Sequence, residues 1–148
     1  MKIQEIRIGK VSIPLKKPFK TALRVVHSAE DIIIKVITDS GAVGYGNAPP
    51  TAVITGDTQG SVATAIREFI APKIVGMSID NIEEIMTTLD SSMIHNSSAR
   101  AAVDMAVYDL FGQLYNIPLY KLFGGYRNTV ITDLTISVNS PDEMVRDS

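Results

Sequence analysis

The sequence predicts an α+β fold, an antiparallel sheet followed by a group of helices. Three observations carry that reading. Up to Ala48 the chain is patterned as strands: Ile3 to Leu15 alternates apolar and polar residues, and DIIIKVIT (Asp31 to Thr38) is rich in β-branched side chains. From Asp57 to Asn116 the apolar residues recur at helical spacing instead. The last stretch, TVITDLTISVNSPDEM, reads as one more strand feeding one more helix.

The elements follow in order. In the first strand the alternation shifts near Gly9, which predicts a bulge, and Pro14 predicts the strand's end because proline cannot donate to a ladder. A basic loop, KKPFKTALR, then leads to the Asp31–Thr38 strand. Asp39, Ser40 and Gly41 predict a turn, with Ala42 to Tyr45 returning as the hairpin partner and NAPP ending the sheet. After the loop TAVITGD, Asp57 or Thr58 predicts a helix start, with an end near Ile70 marked by Pro72 and Gly76. Asp80 and Glu83 have capping-box spacing ahead of the stripe Ile82, Ile85, Met86 and Leu89. A longer helix starts near Asn96 to Ser98 and ends by Asn116, and the alanines on its apolar face permit close approach of another element. Thr129 to Val138 predicts a strand, and Ser140, Pro141 and Glu143 predict a capped helix start. This strand-and-helix pair has no parallel partner in the sequence and reads as the opening unit of something larger.

A chain of 148 residues suffices for one domain with its own core. The formal charge of -2 gives no bulk attraction to nucleic acid or to an anionic membrane surface. The absence of cysteine excludes disulfide scaffolds, thiolate zinc sites and cysteine nucleophiles. The charged start MKIQEIRIGKV has no apolar signal core, and no stretch approaches the ~18 apolar residues of a membrane span. These features predict a soluble cytoplasmic protein with neither nucleic-acid nor membrane partners.

No self-contained active site is legible. His27 and His95 fall outside metal-ligand spacing and read as surface residues. Asp104 and Asp109 are five apart on the long helix, on different faces, and read as solvated or paired with cations. The glycines of GAVGYGNAPP follow a hairpin and open no helix, so they form no phosphate loop. Arg24 has two readings: a solvated loop cation, or a guanidinium gripping a carboxylate with two parallel hydrogen bonds from a flap. Thr135 reads from its residue type alone as an ordinary strand residue.

In order along the chain, PLKKPFKTALR, TDSGAVGYGNAPPTAVITGD, ARAAVDMAVYDLFGQLYNIPLYKLFGG and TDLTISVNSPDEM resemble the N-terminal part of the enolase superfamily. The resemblance is to its muconate-lactonizing subgroup and, within that, to the dipeptide epimerases. It implies an enolase-type capping domain over residues 1–125, an antiparallel sheet followed by a helical bundle. Residues 126–148 would then be the first strand and helix start of a truncated (β/α) barrel. Two capping-domain loops, here Pro18 to Val26 and Pro49 to Gly56, would close over the barrel mouth. The implied reaction removes a proton α to a carboxylate and returns it on the opposite face, using two lysines and a Mg²⁺ held by three carboxylates. Those groups would lie beyond Ser148, so no catalytic or metal residue is assigned in this chain. The resemblance assigns substrate contacts to Arg24, Thr135, Phe19 and Ile54. It implies a small-molecule dipeptide as substrate and a homo-oligomer as the full-length assembly.

Asn47 departs from the pattern, standing where the family usually has glutamate. Arg24 as the one well-placed loop cation, among Phe19, Leu23, Val25, Val26, Val53 and Ile54, leans toward an apolar or broad dipeptide preference over Ala-Glu. Muconate cycloisomerisation and o-succinylbenzoate synthesis are alternatives within the subgroup, and a non-catalytic binding module is an alternative outside it.

Overall fold

The computed structural model describes residues 1–127 and 129–148. Strands β1 (Ile3–Lys20), β2 (Val25–Thr38) and β3 (Val43–Ala48) form an antiparallel sheet in the order β1-β2-β3. The pairing of β3 with β2 runs only from Ile32 opposite Ala48 to Ile37 opposite Val43. The remainder of β1 and β2 therefore extends past β3 as a two-stranded arm that ends at residues 21–24. Neither predicted interruption of β1 holds. Gly9 pairs with Ile33 in unbroken register, and the strand passes through Pro14, opposite Ser28, before an irregularity between Pro14 and Phe19. Pro14 is tolerated because β1 is an edge strand, where a missing N–H need cost no ladder bond.

Helix α1 (Gln59–Thr64) starts at Thr58 as predicted, with Thr58 and Ser61 forming a reciprocal cap. It does not stop before Pro72. A π-helical turn, Ala65–Ile70, carries it into α2 (Ala71–Ile74), and the Ala71 N–H donates to the Ile66 carbonyl, five residues back. The wider turn spares the chain the clash that a proline ring makes with the carbonyl four residues earlier in a regular α-helix. Ile66, Ile70 and Ile74 stay on one buried face throughout. The next segment returns to the sheet, where the Ile3 N–H donates to Met77 O (2.9 Å) and Gly76 N–H to Ile3 O (2.8 Å).

Helix α3 (Ile82–Asp90) begins one residue later than the predicted capping box requires. Asn81 occupies the cap position, and the Asp80 carboxylate accepts from Ser78 Oγ at 2.9 Å instead. Helix α4 (Ser97–Tyr115) matches its predicted span and ends on Asn116 in the left-handed conformation, φ 52°. A short α5 (Leu119–Leu122) follows. The predicted strand Thr129–Val138 does not form among the described residues. Its Val138 N–H donates to Lys20 O (2.9 Å), while Val130, Ile131 and Leu134 stand exposed, Ile131 fully. A strand needs a ladder, and one backbone hydrogen bond to the end of β1 does not supply it. Helix α6 (Pro141–Asp147) forms with the Ser140–Glu143 capping box that the sequence predicts. Hydrogen bonds from Ser140 hold the Glu143 carboxyl below the usual range.

The core lies between one face of the sheet and the helices. Ile32, Ile34 and Val36 of β2 are buried in one cluster with Val62, Ile66, Ile85 and Leu89, to which α4 supplies Ala99, Ala102, Val103, Ala106, Val107 and Leu110. The α4–β3 contact brings backbone against backbone. A Cβ on Gly44 would overlap the Ala106 carbonyl oxygen, and one on Gly46 would overlap the Ala102 carbonyl oxygen. The free edge of β3 is closed by the same helix. The Tyr45 N–H donates to Asp109 Oδ2 (3.0 Å), and Gln113 Nε2 donates to Val43 O (3.0 Å). Asp109 is therefore neither simply solvated nor paired with a cation: it satisfies an edge strand that would otherwise be open to pairing.

Gly46→Ala should destabilise the protein by roughly 3 kcal/mol or more, because neither backbone can retreat. Gly41→Ala, at φ 82° in open space, should cost only about 1 kcal/mol. Urea unfolding midpoints at unchanged slope would check both. Burial first, and then the charge of Asp90, push the Asp104 carboxyl above its ordinary range. A raised folded-state value means that the stability tied to this proton is complete below the unfolded value and lost as pH rises through the folded one. Asp104→Asn should therefore raise the melting temperature at pH 7, with the gain vanishing below the ordinary carboxylate value of about 3.9.

Candidate functional site

The arm exists because β1 and β2 outlast β3, and its end is shaped by one side chain. Thr21 Oγ1 accepts from the Leu23 and Arg24 N–H groups, both at 3.2 Å, while the Thr21 N–H donates to Arg24 O at 2.9 Å. This folds ALR into a tight tip and fixes where the Arg24 backbone departs. At the arm's base, Glu30 accepts from Ser12 Oγ (2.5 Å) and Ser28 Oγ (2.9 Å), which holds its carboxyl below the usual range. Gln59, at the start of α1, reaches Glu30 Oε2 (3.3 Å) and Asp31 O (3.2 Å). The arm is thus tied to the helical layer at its root.

Two open clefts meet at Phe19. One, of about 580 Å³, is lined by Leu15, Lys16, Lys17, Phe19, Arg24, Val26 and Ala29. The other, of about 300 Å³, lies between Lys17, Pro18 and Phe19 on the arm and Leu134, Thr135, Ile136, Ser137 and Asp147 on the C-terminal segment. That segment is docked by Lys20, whose N–H donates to Ser137 Oγ (2.8 Å), and by a Lys17–Asp147 ion pair at 3.4 Å. Phe19 borders both clefts, Arg24 the first and Thr135 the second, so three of the four expected substrate-contact residues gather at the end of the arm. Ile54 does not join them. It stands 69% exposed in the Pro49–Gly56 loop and lines neither cleft.

The first cleft also corrects the expectation of a lone cation. Lys16 and Lys17 line it with Arg24 over an apolar floor of Leu15, Phe19 and Val26. Sequence reasoning passed over the lysines as lead-in to the loop, although their position before Pro18 in an extended arm was the available signal. Ser137 was missed for a plainer reason: its partner is the Lys20 backbone, 117 residues away. At the departure from the family pattern, Asn47 Nδ2 donates to Asp31 Oδ2 at 3.0 Å. A carboxylate at position 47 would face Asp31 charge against charge, so asparagine suits this neighbour.

Among the described residues no group of three or more His, Cys, Asp or Glu could hold a metal ion, so the Mg²⁺ that the resemblance implies has no ligand set here. Among the described residues, too, no helix is long and apolar enough to cross a membrane.

Comparison with known proteins agrees with this architecture. Residues 3–124 match the mandelate racemase/muconate lactonizing enzyme N-terminal domain. The chain is 55% identical over its whole length to the L-Ala-D/L-Glu epimerase of Clostridium acetobutylicum, of which it covers 41%. It superposes on a substrate-liganded complex of the L-Ala-D/L-Glu epimerase from Bacillus subtilis with a TM-score of 0.95 at 49% identity, covering 99% of this chain and 41% of that one. A dipeptide epimerase from Enterococcus faecalis V583, solved with Mg and the dipeptide L-Leu-L-Tyr, gives a TM-score of 0.92 at 39% identity, again over 99% and 41%. The chain thus spans about two fifths of the length of these relatives. Sheet order, helix order and the family match over residues 3–124 agree: the chain belongs to the mandelate racemase/muconate lactonizing enzyme family of the enolase superfamily, as its N-terminal domain.

Proposed function

We propose that this chain is the N-terminal, substrate-capping part of a dipeptide epimerase, and that its dipeptide carries an acidic side chain. The observation that carries the reading is the cleft at the arm tip, where Lys16, Lys17 and Arg24 surround an apolar floor that includes Phe19. Guanidinium presents two parallel donors to a carboxylate, and Lys16 adds to the local positive potential, while the Lys17 ammonium is already paired with Asp147. Phe19 and Val26 would shield the substrate's apolar atoms from water, and Thr135 across the second cleft would offer a hydroxyl. Ile54 would complete the cover from the Pro49–Gly56 loop. The similarity to L-Ala-D/L-Glu epimerases at 55% and 49% identity, against 39% for a hydrophobic dipeptide epimerase, supports the acidic preference.

The reaction so assigned takes a proton from one α-carbon of an L,L-dipeptide and returns one to the opposite face, with no other bond made or broken. The residues of this chain bind and orient the dipeptide and exclude water. No proton transfer is assigned to them, and Mg²⁺ would be held by residues outside this chain. The capping domain would end near residue 125, with residues 126–148 leading into a second domain. The bare Val130, Ile131 and Leu134 support that division, since such side chains want cover.

The test is to incubate the gene's full product with Mg²⁺ and L-Ala-L-Glu in D₂O. Deuterium at one α-carbon and a second diastereomer are expected. No exchange with either acidic or hydrophobic dipeptides, alongside cycloisomerase activity, would overturn the assignment. Arg24→Ala should raise KM for L-Ala-L-Glu roughly tenfold to a hundredfold while moving that for an apolar dipeptide far less. Steady-state kinetics on both substrates would check it.

A further inference from the structure

The Pro49–Gly56 loop is built as a self-contained turn. Ile54 and Thr55 N–H groups donate to Thr51 O at 3.0 and 2.8 Å, Thr55 Oγ1 adds a bond to the same carbonyl at 3.2 Å, and Gly56 turns the chain at φ 80°. These bonds shape the loop but do not fix it to the rest of the molecule. The fixing falls to the next residue. Asp57 is buried, at 7% exposure, and its Oδ2 accepts from Ser98 Oγ at 2.5 Å. Immediately after it, Thr58 caps α1. The loop's exit is thereby joined to a helix distant in sequence.

Ser98 lies in the first turn of α4, and that helix has no cap of its own. Asn96 takes the left-handed conformation, φ 51°, and makes no side-chain capping bond. A carboxylate arriving from another element therefore meets the positive end of the helix, where negative charge is favoured. The same helix is seated on β3, whose end at Ala48 is the loop's entry. An open cleft of about 470 Å³ between Asn47, Pro49, Thr55, Ser98 and Met105 separates loop from helix on the solvent side. Without the Asp57–Ser98 bond, the loop could swing about Gly56 across that space.

We propose that Asp57 and Ser98 form a clasp that holds the Pro49–Gly56 loop, with Val53 and Ile54 at its crest, in place over the substrate. Asp57 is then a positioning residue for substrate binding rather than a catalytic one. The proposal rests on the dipeptide reading for its kinetic consequence, but not for its structural one.

The experiment compares Ser98→Ala and Ser98→Thr with the parent in the gene's full product, well below their melting temperatures. In Ser98→Ala the amides of residues 51–56 should exchange with D₂O about tenfold faster while those of 102–110 stay unchanged. KM for L-Ala-L-Glu should rise about tenfold with kcat moving less than about threefold, and Ser98→Thr, which keeps the hydroxyl, should restore both readouts. Asp57→Asn, which keeps an acceptor but loses the charge favoured at the helix end, should fall between the parent and Ser98→Ala in loop exchange. Unchanged loop exchange, or KM and kcat falling together without rescue by threonine, would overturn the clasp. If the parent turns over no dipeptide, the dipeptide reading fails and the exchange experiment alone decides the clasp.

Discussion

Gly44 and Gly46 present bare Cα atoms to the carbonyl oxygens of Ala106 and Ala102, so that α4 rests directly on the backbone of β3. Three further features of the molecule follow from that seating. It brings Val103, Val107 and Leu110 into the core against β2. It places Asp109 and Gln113 where they close the free edge of β3. It also sets the first turn of α4, and with it Ser98, beside the end of the loop that leaves β3. Close packing of this kind tolerates little adjustment, because the groups in contact are main chain rather than flexible side chains.

From this rigid body two features project. The arm of β1 and β2 extends where β3 no longer pairs, and a two-stranded ribbon is intrinsically weak without further support. Its root is held by the Ser12, Ser28, Glu30 and Gln59 cluster, and its tip by Thr21 and by Lys20's bond to Ser137. The Pro49–Gly56 loop is the second projection. Each carries apolar side chains into solvent, and the arm's first cleft is also lined by three cations, Lys16, Lys17 and Arg24. A rigid base with projecting cover segments suits a domain whose work is recognition, with bond rearrangement done elsewhere.

Strand and helix order was legible in the sequence because hydrophobic period is a local signal. Capping at Thr58 and Ser140 was legible for the same reason. What escaped was set by distant partners. Pro72 marks a helix end only if the helix stays regular, and the π-helical turn before it depends on keeping three isoleucines buried. TVITDLTISV has strand composition, yet composition cannot supply a neighbouring strand. Asp109 was read from its own helix, whereas its partner is the backbone of Tyr45. At the candidate site, Arg24, Phe19 and Thr135 came from the family resemblance and converge at the arm tip, but Lys16 and Lys17 needed the fold to show which way the cleft opens. The glycines of GYGNAPP and the alanines of α4 were each noted in the sequence, and only the structure pairs them.

The proposed grip of the arm tip on a substrate carboxylate can be seen directly. The most direct measurement is a crystal structure of the gene's full product with Mg²⁺ and L-Ala-L-Glu bound. The Arg24 guanidinium is expected within about 2.7–2.9 Å of the dipeptide's side-chain carboxylate, with Phe19 covering the chain beside it. A dipeptide bound with Arg24 left in solvent and its carboxylate held by other residues would contradict it.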